Sequence, residues 1–242
     1  MDTLPPVTMK ALPIDPRPLL VLIVLLGTGA VITVLLLTDD APCSTDGADE
    51  TSGNNVSVGT NGPSLPLTTA DVGGTMVVVD SANVRVKLAC VNWYGAHMEN
   101  YVVNGLDKRP AADIAGTIAE LGFNCVRLPF SLEQFFDDPE VVASHVSADP
   151  SLAGLSSMQV FDATVSALTS AGLMVILNNH NSKAGWCCSE HDGDGLWYTH
   201  DYPEEMWLEA LEKMAERYAA DPMVVGIDLR NELRRAHGHS PR

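Results

Sequence analysis

No aromatic residue occurs before Trp93, and no lysine or arginine lies between Arg17 and Arg85. The first third of this 242-residue chain is therefore built differently from the rest. Basic residues are scarce throughout, 14 against 31 acidic ones, for a net charge of −17. That balance argues against a nucleic-acid binder, which needs a basic face for phosphates. Residues 1–17 are neutral overall, so the negative charge all lies beyond them, as 12 basic against 29 acidic residues. With 46% hydrophobic and 19% charged residues, the composition also excludes disorder over the whole chain.

Charge is missing altogether from Pro18 to Thr38. A run of roughly 20 apolar residues is long enough to span a bilayer as a helix. The apolar core of a cleaved signal peptide is shorter, about 7–15 residues, and ends at small residues. Here the run ends in Thr38-Asp39-Asp40, so the sequence predicts an uncleaved signal-anchor helix over 18–38, with secretion after cleavage as the alternative. Lys10 and Arg17 precede the span and two acids follow it, which puts residues 1–17 in the cytoplasm and the remainder outside or in a lumen. Residues 39–74 are expected to form a flexible stem, because Gly, Ser, Thr, Asn, Pro and Asp dominate up to Pro66 and bury too little apolar surface to offset ordering. The stem carries one glycosylation acceptor pattern, Asn55-Val56-Ser57.

The five cysteines are compatible with an exported domain and leave at least one thiol unpaired within the chain. Cys90 and Cys125 sit in apolar runs and read as buried small hydrophobes. Cys187 and Cys188 are adjacent in a polar loop and are free to pair elsewhere. With His180 and His191 they suggest zinc, but the spacing matches no standard ligand pattern. Asp192-Gly193-Asp194-Gly195 starts like a calcium loop and lacks its later ligands. No cofactor or metal is expected.

From Thr75 the pattern becomes regular. A hairpin is predicted from Met76–Val79 and Val84–Lys87, then a strand over Leu88–Trp93. Pro110 opens a helix whose face carries Ile114, Ile118 and Leu121 and which Gly122 ends. A strand at Asn124–Leu128 follows, then a long loop. Ser156 and Gln159 form a capping box ahead of a helix with Phe161, Val165 and Leu168 inward. Leu173–Leu177 reads as a strand, and Asp201 with Glu204 repeats the capping pattern before a stripe of Trp207, Leu211, Met214 and Tyr218. Met223–Leu229 is the last strand. Near-continuous apolar strands alternating with amphipathic helices mean an α/β fold with a parallel sheet, either doubly wound or closed into an eight-stranded barrel. The first strand runs into Trp93-Tyr94-Gly95 rather than a phosphate-cradling glycine turn, so nothing favours the nucleotide-binding version.

In a barrel, chemistry gathers at the carboxyl ends of strands. Asn92, Arg127, His180 and Asn231-Glu232 all fall there. A carboxyl beside an Asn amide, with His and Arg nearby, suits general acid/base work on a polar substrate. Trp93, Tyr94, Trp186, Trp197 and Tyr198 lie on the same rim loops as flat apolar surfaces for a sugar, whereas Trp207 reads as core.

Four segments then carry a specific resemblance: Val91-Asn92-Trp93-Tyr94-Gly95, Phe123-Asn124-Cys125-Val126-Arg127-Leu128-Pro129-Phe130, Val175-Ile176-Leu177-Asn178-Asn179-His180 and Gly226-Ile227-Asp228-Leu229-Arg230-Asn231-Glu232. In order and spacing they resemble glycoside hydrolase family 5, and within it the cellulase (endo-β-1,4-glucanase) group, over roughly residues 75–236. The resemblance implies a (β/α)8 TIM barrel of which about the first four strands lie in residues 75–242. It implies retaining hydrolysis of β-1,4-linked glucan, with Glu232 as general acid/base. Asn231 would contact the 2-hydroxyl of the sugar at the cleavage point, and Arg127 and His180 would organise the nucleophile and that subsite.

The resemblance places the nucleophile on a seventh strand, beyond residue 242. An eight-unit barrel typically needs about 250 residues. The expectation is therefore a truncated catalytic domain whose complete form is the enzyme, preceded by the transmembrane helix and stem. The alternative is a catalytically dead, membrane-tethered chain that binds glucan through its rim aromatics.

Overall fold

The computed structural model describes residues 62–189 and 191–234, together with the backbone of Leu22–Leu26 and Ala30–Val34. The strands in chain order are β1 (Leu22–Leu26), β2 (Ala30–Val34), β3 (Thr68–Val72), β4 (Thr75–Val79), β5 (Cys90–Asn92), β6 (Cys125–Ser131), β7 (Met174–Asn181) and β8 (Val224–Asp228). The α-helices are α1 (Ala111–Glu120), α2 (Leu132–Asp137), α3 (Ser157–Ser170) and α4 (Glu204–Tyr218).

Strands β5 to β8 form a four-stranded sheet in sequential order, with every neighbouring pair parallel. Parallel neighbours need a crossover, and α1, α3 and α4 supply the three. Each helix follows from its sequence. Ser156 accepts from the Gln159 backbone while the Gln159 side chain accepts from the Ser156 N–H, a complete capping box for α3. Gly122 and Gly172 close α1 and α3 with φ of 85° and 78°, a left-handed turn that glycine adopts without a Cβ penalty.

Because side chains alternate along a strand, the sheet has two different faces. Val126, Leu128, Phe130, Val175, Leu177, Val224 and Ile227 point toward the helices and pack with Phe161, Val165, Leu168 and Met214. Burying each large apolar side chain contributes about 1.5–3 kcal/mol. The opposite face is layered. Its lower layer is apolar, with Cys125, Met174, Ile176 and Val225 packed on Leu67, Val78 and Val86. Above it, toward the carboxyl ends, the same face carries Asn92, Arg127, Asn178 and Asp228. The register pairs Asn92 with Arg127 and, one inward position further along, Asn178 with Asp228; the Arg127 side chain spans that step to reach Asp228.

Several expectations are corrected. The hairpin forms from Thr68–Val72 and Thr75–Val79 rather than from Met76–Val79 and Val84–Lys87. Gly73 and Gly74, with φ of 63° and 85°, make the tight turn there. The later segment contributes only a bridge between Val79 and Arg85 and a hydrogen bond from Val86 N to Val78 O of 2.8 Å. Part of the 39–74 stem therefore belongs to the folded structure, with Leu67 buried. The loop after β6 contains α2, capped by Ser131. Helix α4 begins after Pro203 with no side-chain cap, so the Asp201–Glu204 pattern is not used.

The helix expected over 18–38 is not found. Of that span the structure describes Leu22–Leu26 and Ala30–Val34, paired as an antiparallel hairpin that lies against β8 without joining its sheet. The remainder of 18–38, like the 1–17 tail and most of the stem, lies outside the described residues. Ile23, Val24, Val31, Ile32, Thr33 and Val34 are β-branched and suit strands as well as helices, an ambiguity that apolar length alone does not resolve. Among the described residues no helix is long and apolar enough to cross a membrane.

Candidate active site

Arg127 is the hub of the polar layer. It lies in mid-strand above the apolar residues of the same face, and its guanidinium spends its donors on three acceptors. Nε and one terminal nitrogen reach Asp228 Oδ2 at 2.8 and 2.5 Å. The other terminal nitrogen reaches Asn92 Oδ1 at 3.0 Å, and Asn231 Oδ1 accepts at 2.8 Å. Asp228 is almost wholly buried, and its Oδ2 also accepts from Asn178 Nδ2 at 3.0 Å. A buried carboxylate is costly unless it is paired in this way.

The chain of bonds continues and fixes a tautomer. Asn178 donates to Asp228 through its nitrogen, so its oxygen must accept from His180 Nδ1, 2.7 Å away. His180 therefore carries its proton on Nδ1, and Nε2 remains an acceptor. The His97 ring lies tilted against it, with centroids 4.2 Å apart. Burial, the neighbouring His97 and the Arg127 charge push the His180 imidazole down to about 2; burial and Arg127 push His97 down to about 4. Both rings are neutral at ordinary pH, as hydrogen-bonding groups rather than charges.

Asn92, Tyr94, His97, His180, Trp186 and Cys187 line a cleft of about 220 Å³. Gly95 makes its rim possible. A Cβ there would come within 2.6 Å of Asn104 N and 2.7 Å of Val102 O, and φ is 127°. Gly185 N donates to His97 O at 3.1 Å and Asn181 Nδ2 donates to Gly185 O at 2.8 Å, which ties the two aromatic loops together. Tyr94 and Trp186 then meet edge to face at 6.2 Å, with Trp186 left 74% exposed.

Asn231 and Glu232 follow β8. Asn231 N donates to Asn179 O at 2.9 Å, holding the segment beside β7. Glu232 differs from Asn231: it is exposed and has φ of 38°, a left-handed conformation unusual for a residue with a side chain.

Of the residues singled out from sequence, Asn92, Arg127, His180 and Asn231 come together in one network, and Tyr94 and Trp186 flank the cleft. Trp93 does not. It is 7% exposed in the core and its indole donates to Asn104 O at 2.9 Å. It follows β5 directly and turns toward the helix-side core. Trp197 packs on Tyr198 and on Trp207, and neither Trp197 nor Tyr198 is among the residues lining the cleft. Trp197 donates to Glu204 at 3.1 Å. Sequence reasoning missed Asp228, Asn178 and His97. The two-residue alternation that places Ile176 inward also places Asn178 and was the signal available there; Asp228 shares a face with Val225 only through the register shift against β7, which the sequence does not show.

The four described cysteines are paired. Cys90 and Cys125 are opposite each other in the parallel register and form a disulfide rather than two buried thiols. Cys187 and Cys188 are bonded to each other, which removes both thiolates from the zinc alternative. Asp192 and Asp194 are occupied by backbone N–H groups and by Arg234 and Arg230. Cys43 lies outside the described residues.

A family model described as cellulase (glycosyl hydrolase family 5) matches residues 80–240. A glycosyl hydrolase 5 family protein of Chamaecyparis obtusa is 38% identical over 187 residues, covering 71% of this chain and 33% of the relative. The catalytic domain of the major endoglucanase from Xanthomonas campestris pv. campestris superposes with a TM-score of 0.59 at 34% identity, over 68% of this chain and 47% of that one. An endocellulase of Pyrococcus horikoshii, solved in complex with cellotetraose, gives 0.58 at 30% identity, over 68% and 43%. The chain spans about a third of the length of the curated relatives it matches.

Proposed function

This chain belongs to the cellulase family, glycosyl hydrolase family 5, and from that premise we propose that the complete protein is an endo-acting hydrolase of β-1,4-linked glucan working with retention. Glu232 is the acid/base, protonating the glycosidic oxygen and then activating water. Asn231 donates to the sugar 2-hydroxyl, and His180 offers Nε2 as an acceptor to another hydroxyl. Arg127 holds this layer in place. The observation that carries the reading is Asn231-Glu232 at the carboxyl end of β8, tied through Asn231 Oδ1 to Arg127 and Asp228 beside an aromatic-walled cleft. The endocellulase seen with cellotetraose supports a gluco-oligosaccharide as the ligand.

Retention needs a second carboxyl about 5–5.5 Å from the first. Asp228 and Asp194 on the described rim are each bound to an arginine, so neither is free to attack an anomeric carbon. In this reading the nucleophile comes from a later strand of the completed (β/α)8 barrel. The full-length protein should release reducing ends from soluble cellulose with the β-anomer formed first, as read by proton NMR. Glu232→Gln should abolish that release, and an inactive, verified full-length protein would remove the reading.

The arginine-bound carboxylates also support a second reading, a chain that binds glucan without cleaving it. Calorimetric binding of cellotetraose with no product would select it.

The proposal includes an exported location. Its supports are the uncharged run 18–38, the bias of Lys10 and Arg17 to its amino side, and the two disulfides, which persist in oxidising compartments. Retention of the protein in membranes after alkaline carbonate extraction tests the anchor; release into the medium selects the cleaved form.

A further inference from the structure

We propose that the Cys187–Cys188 bridge is the positioning group for the Asn231 amide, setting the donor that reads the sugar 2-hydroxyl. This rests on the hydrolase reading above and deepens it.

The amide's orientation is dictated from one side. A guanidinium only donates, so the oxygen of Asn231 must face Arg127, at 2.8 Å. The nitrogen then points the other way, where it meets Sγ of Cys187 and Sγ of Cys188, each at 3.5 Å. Disulfide sulfur is a weak acceptor. The two long N–H···S contacts pack against the amide and block its rotation, yet are weak enough for a stronger acceptor in the cleft that Cys187 itself lines to take an N–H from them. A serine or water in the same place would bind that hydrogen and compete with the sugar.

The bridge is also held stiffly. It joins consecutive residues with Cα atoms 3.7 Å apart, so neither side chain retains independent rotamers. Cys188, at φ 83°, and Ser189 donate their backbone N–H groups to Asp192 Oδ2 at 2.9 and 3.0 Å. Arg234 clamps Asp192 at 3.1 Å and the Ser189 carbonyl. Arg230 holds the adjoining Asp194 at 2.6 Å. The loop therefore presents two sulfurs at a fixed distance from β8.

The test is a double-mutant cycle in the full-length protein, with kcat and KM measured on an aryl β-cellobioside. Peptide mapping without reduction should recover residues 187 and 188 bridged to each other; two free thiols there would overturn the proposal. The paired substitution Cys187→Ser with Cys188→Ser should lower kcat about tenfold with KM little changed. The same substitution in an Asn231→Ala background should cost almost nothing further. Mild phosphine reduction of the unaltered protein should reproduce the loss, and should have no effect on the Ser/Ser variant, which keeps Cys90–Cys125. Full additivity of the two losses, or no loss on breaking the bridge, overturns the proposal while leaving the hydrolase reading intact. Unimpaired hydrolysis by Asn231→Ala would instead remove both.

Discussion

The two ends of the proposed machinery are built differently. Arg127, Asp228, Asn178, His180 and Asn231 form a closed network on three adjacent strands and the turn after the last, nearly every donor matched to an acceptor. Glu232, one residue further, is exposed, left-handed and without a hydrogen bond among the described residues. The first group is fixed by local register: once β6, β7 and β8 pair in parallel, these side chains have nowhere else to point. The second depends on walls that these four strands do not supply. On the proposed reading, the groups that would orient the sugar are set by the pairing of these strands, and the surroundings of Glu232 are not.

This contrast can be broken most sharply at Glu232. Glu232→Gln should lower kcat of the complete enzyme by about 10³-fold, within the range removed with a general acid/base. Its thermal midpoint should stay unchanged, since an exposed site carries little stability. Glu232→Gly should be equally inactive yet slightly more stable, because glycine accepts φ of 38° without penalty. A large drop in melting temperature for either variant would place Glu232 inside the network after all.

At the other end, Asp228→Ala should destabilise by roughly 3 kcal/mol, seen as a lower urea midpoint, because it strands a guanidinium in a mostly buried layer. A change under 1 kcal/mol would mean that solvent already serves Arg127.

The histidines supply a smaller, pH-dependent effect. Above pH 6.5 both rings are neutral whether the chain is folded or not. Below it the unfolded chain takes up protons that the folded one refuses until about pH 4 at His97 and about 2 at His180. Stability should fall as pH drops through this window, by about 1.4 kcal/mol per pH unit for each histidine. His97→Gln should halve the slope between pH 6 and 4.5. An unchanged slope would show that His97 is protonated in the fold.

The smallest effect is expected at the rim. Trp186→Ala should weaken cellotetraose binding by about 1 kcal/mol, roughly fivefold, with stability unaltered. Trp93→Ala should do the reverse, destabilising by about 3 kcal/mol through lost packing.

That last pair shows where the sequence was legible. Trp93 and Trp186 both sit just beyond the sheet in chain position, yet one turns into the core and the other into solvent; composition does not separate them. The capping box at Ser156 and Gln159, the glycine stops and the three long apolar strands were readable because each rests on contacts within a few residues. Arg127, His180 and Asn231 were readable as rim residues, but their shared carboxylate was not. Asp228 is attached to Arg127 by a contact 101 positions apart. The Cys90–Cys125 bridge needed the register of β5 against β6, which spacing alone does not give. The hairpin at Thr68–Val79 was displaced because its glycine pair, Gly73-Gly74, makes a tighter turn than Asp80-Ser81-Ala82-Asn83.

The apolar floor formed by Leu67, Val78 and Val86 beneath the sheet's inner face has a further consequence. It covers the amino-terminal end of that face, so among the described residues the polar layer opens only toward the carboxyl ends of the strands. In the hydrolase proposed above, a polysaccharide would be laid across the rim from the side, gripped somewhere along its length and let go as two pieces, with no requirement that either tip of the polymer be found first.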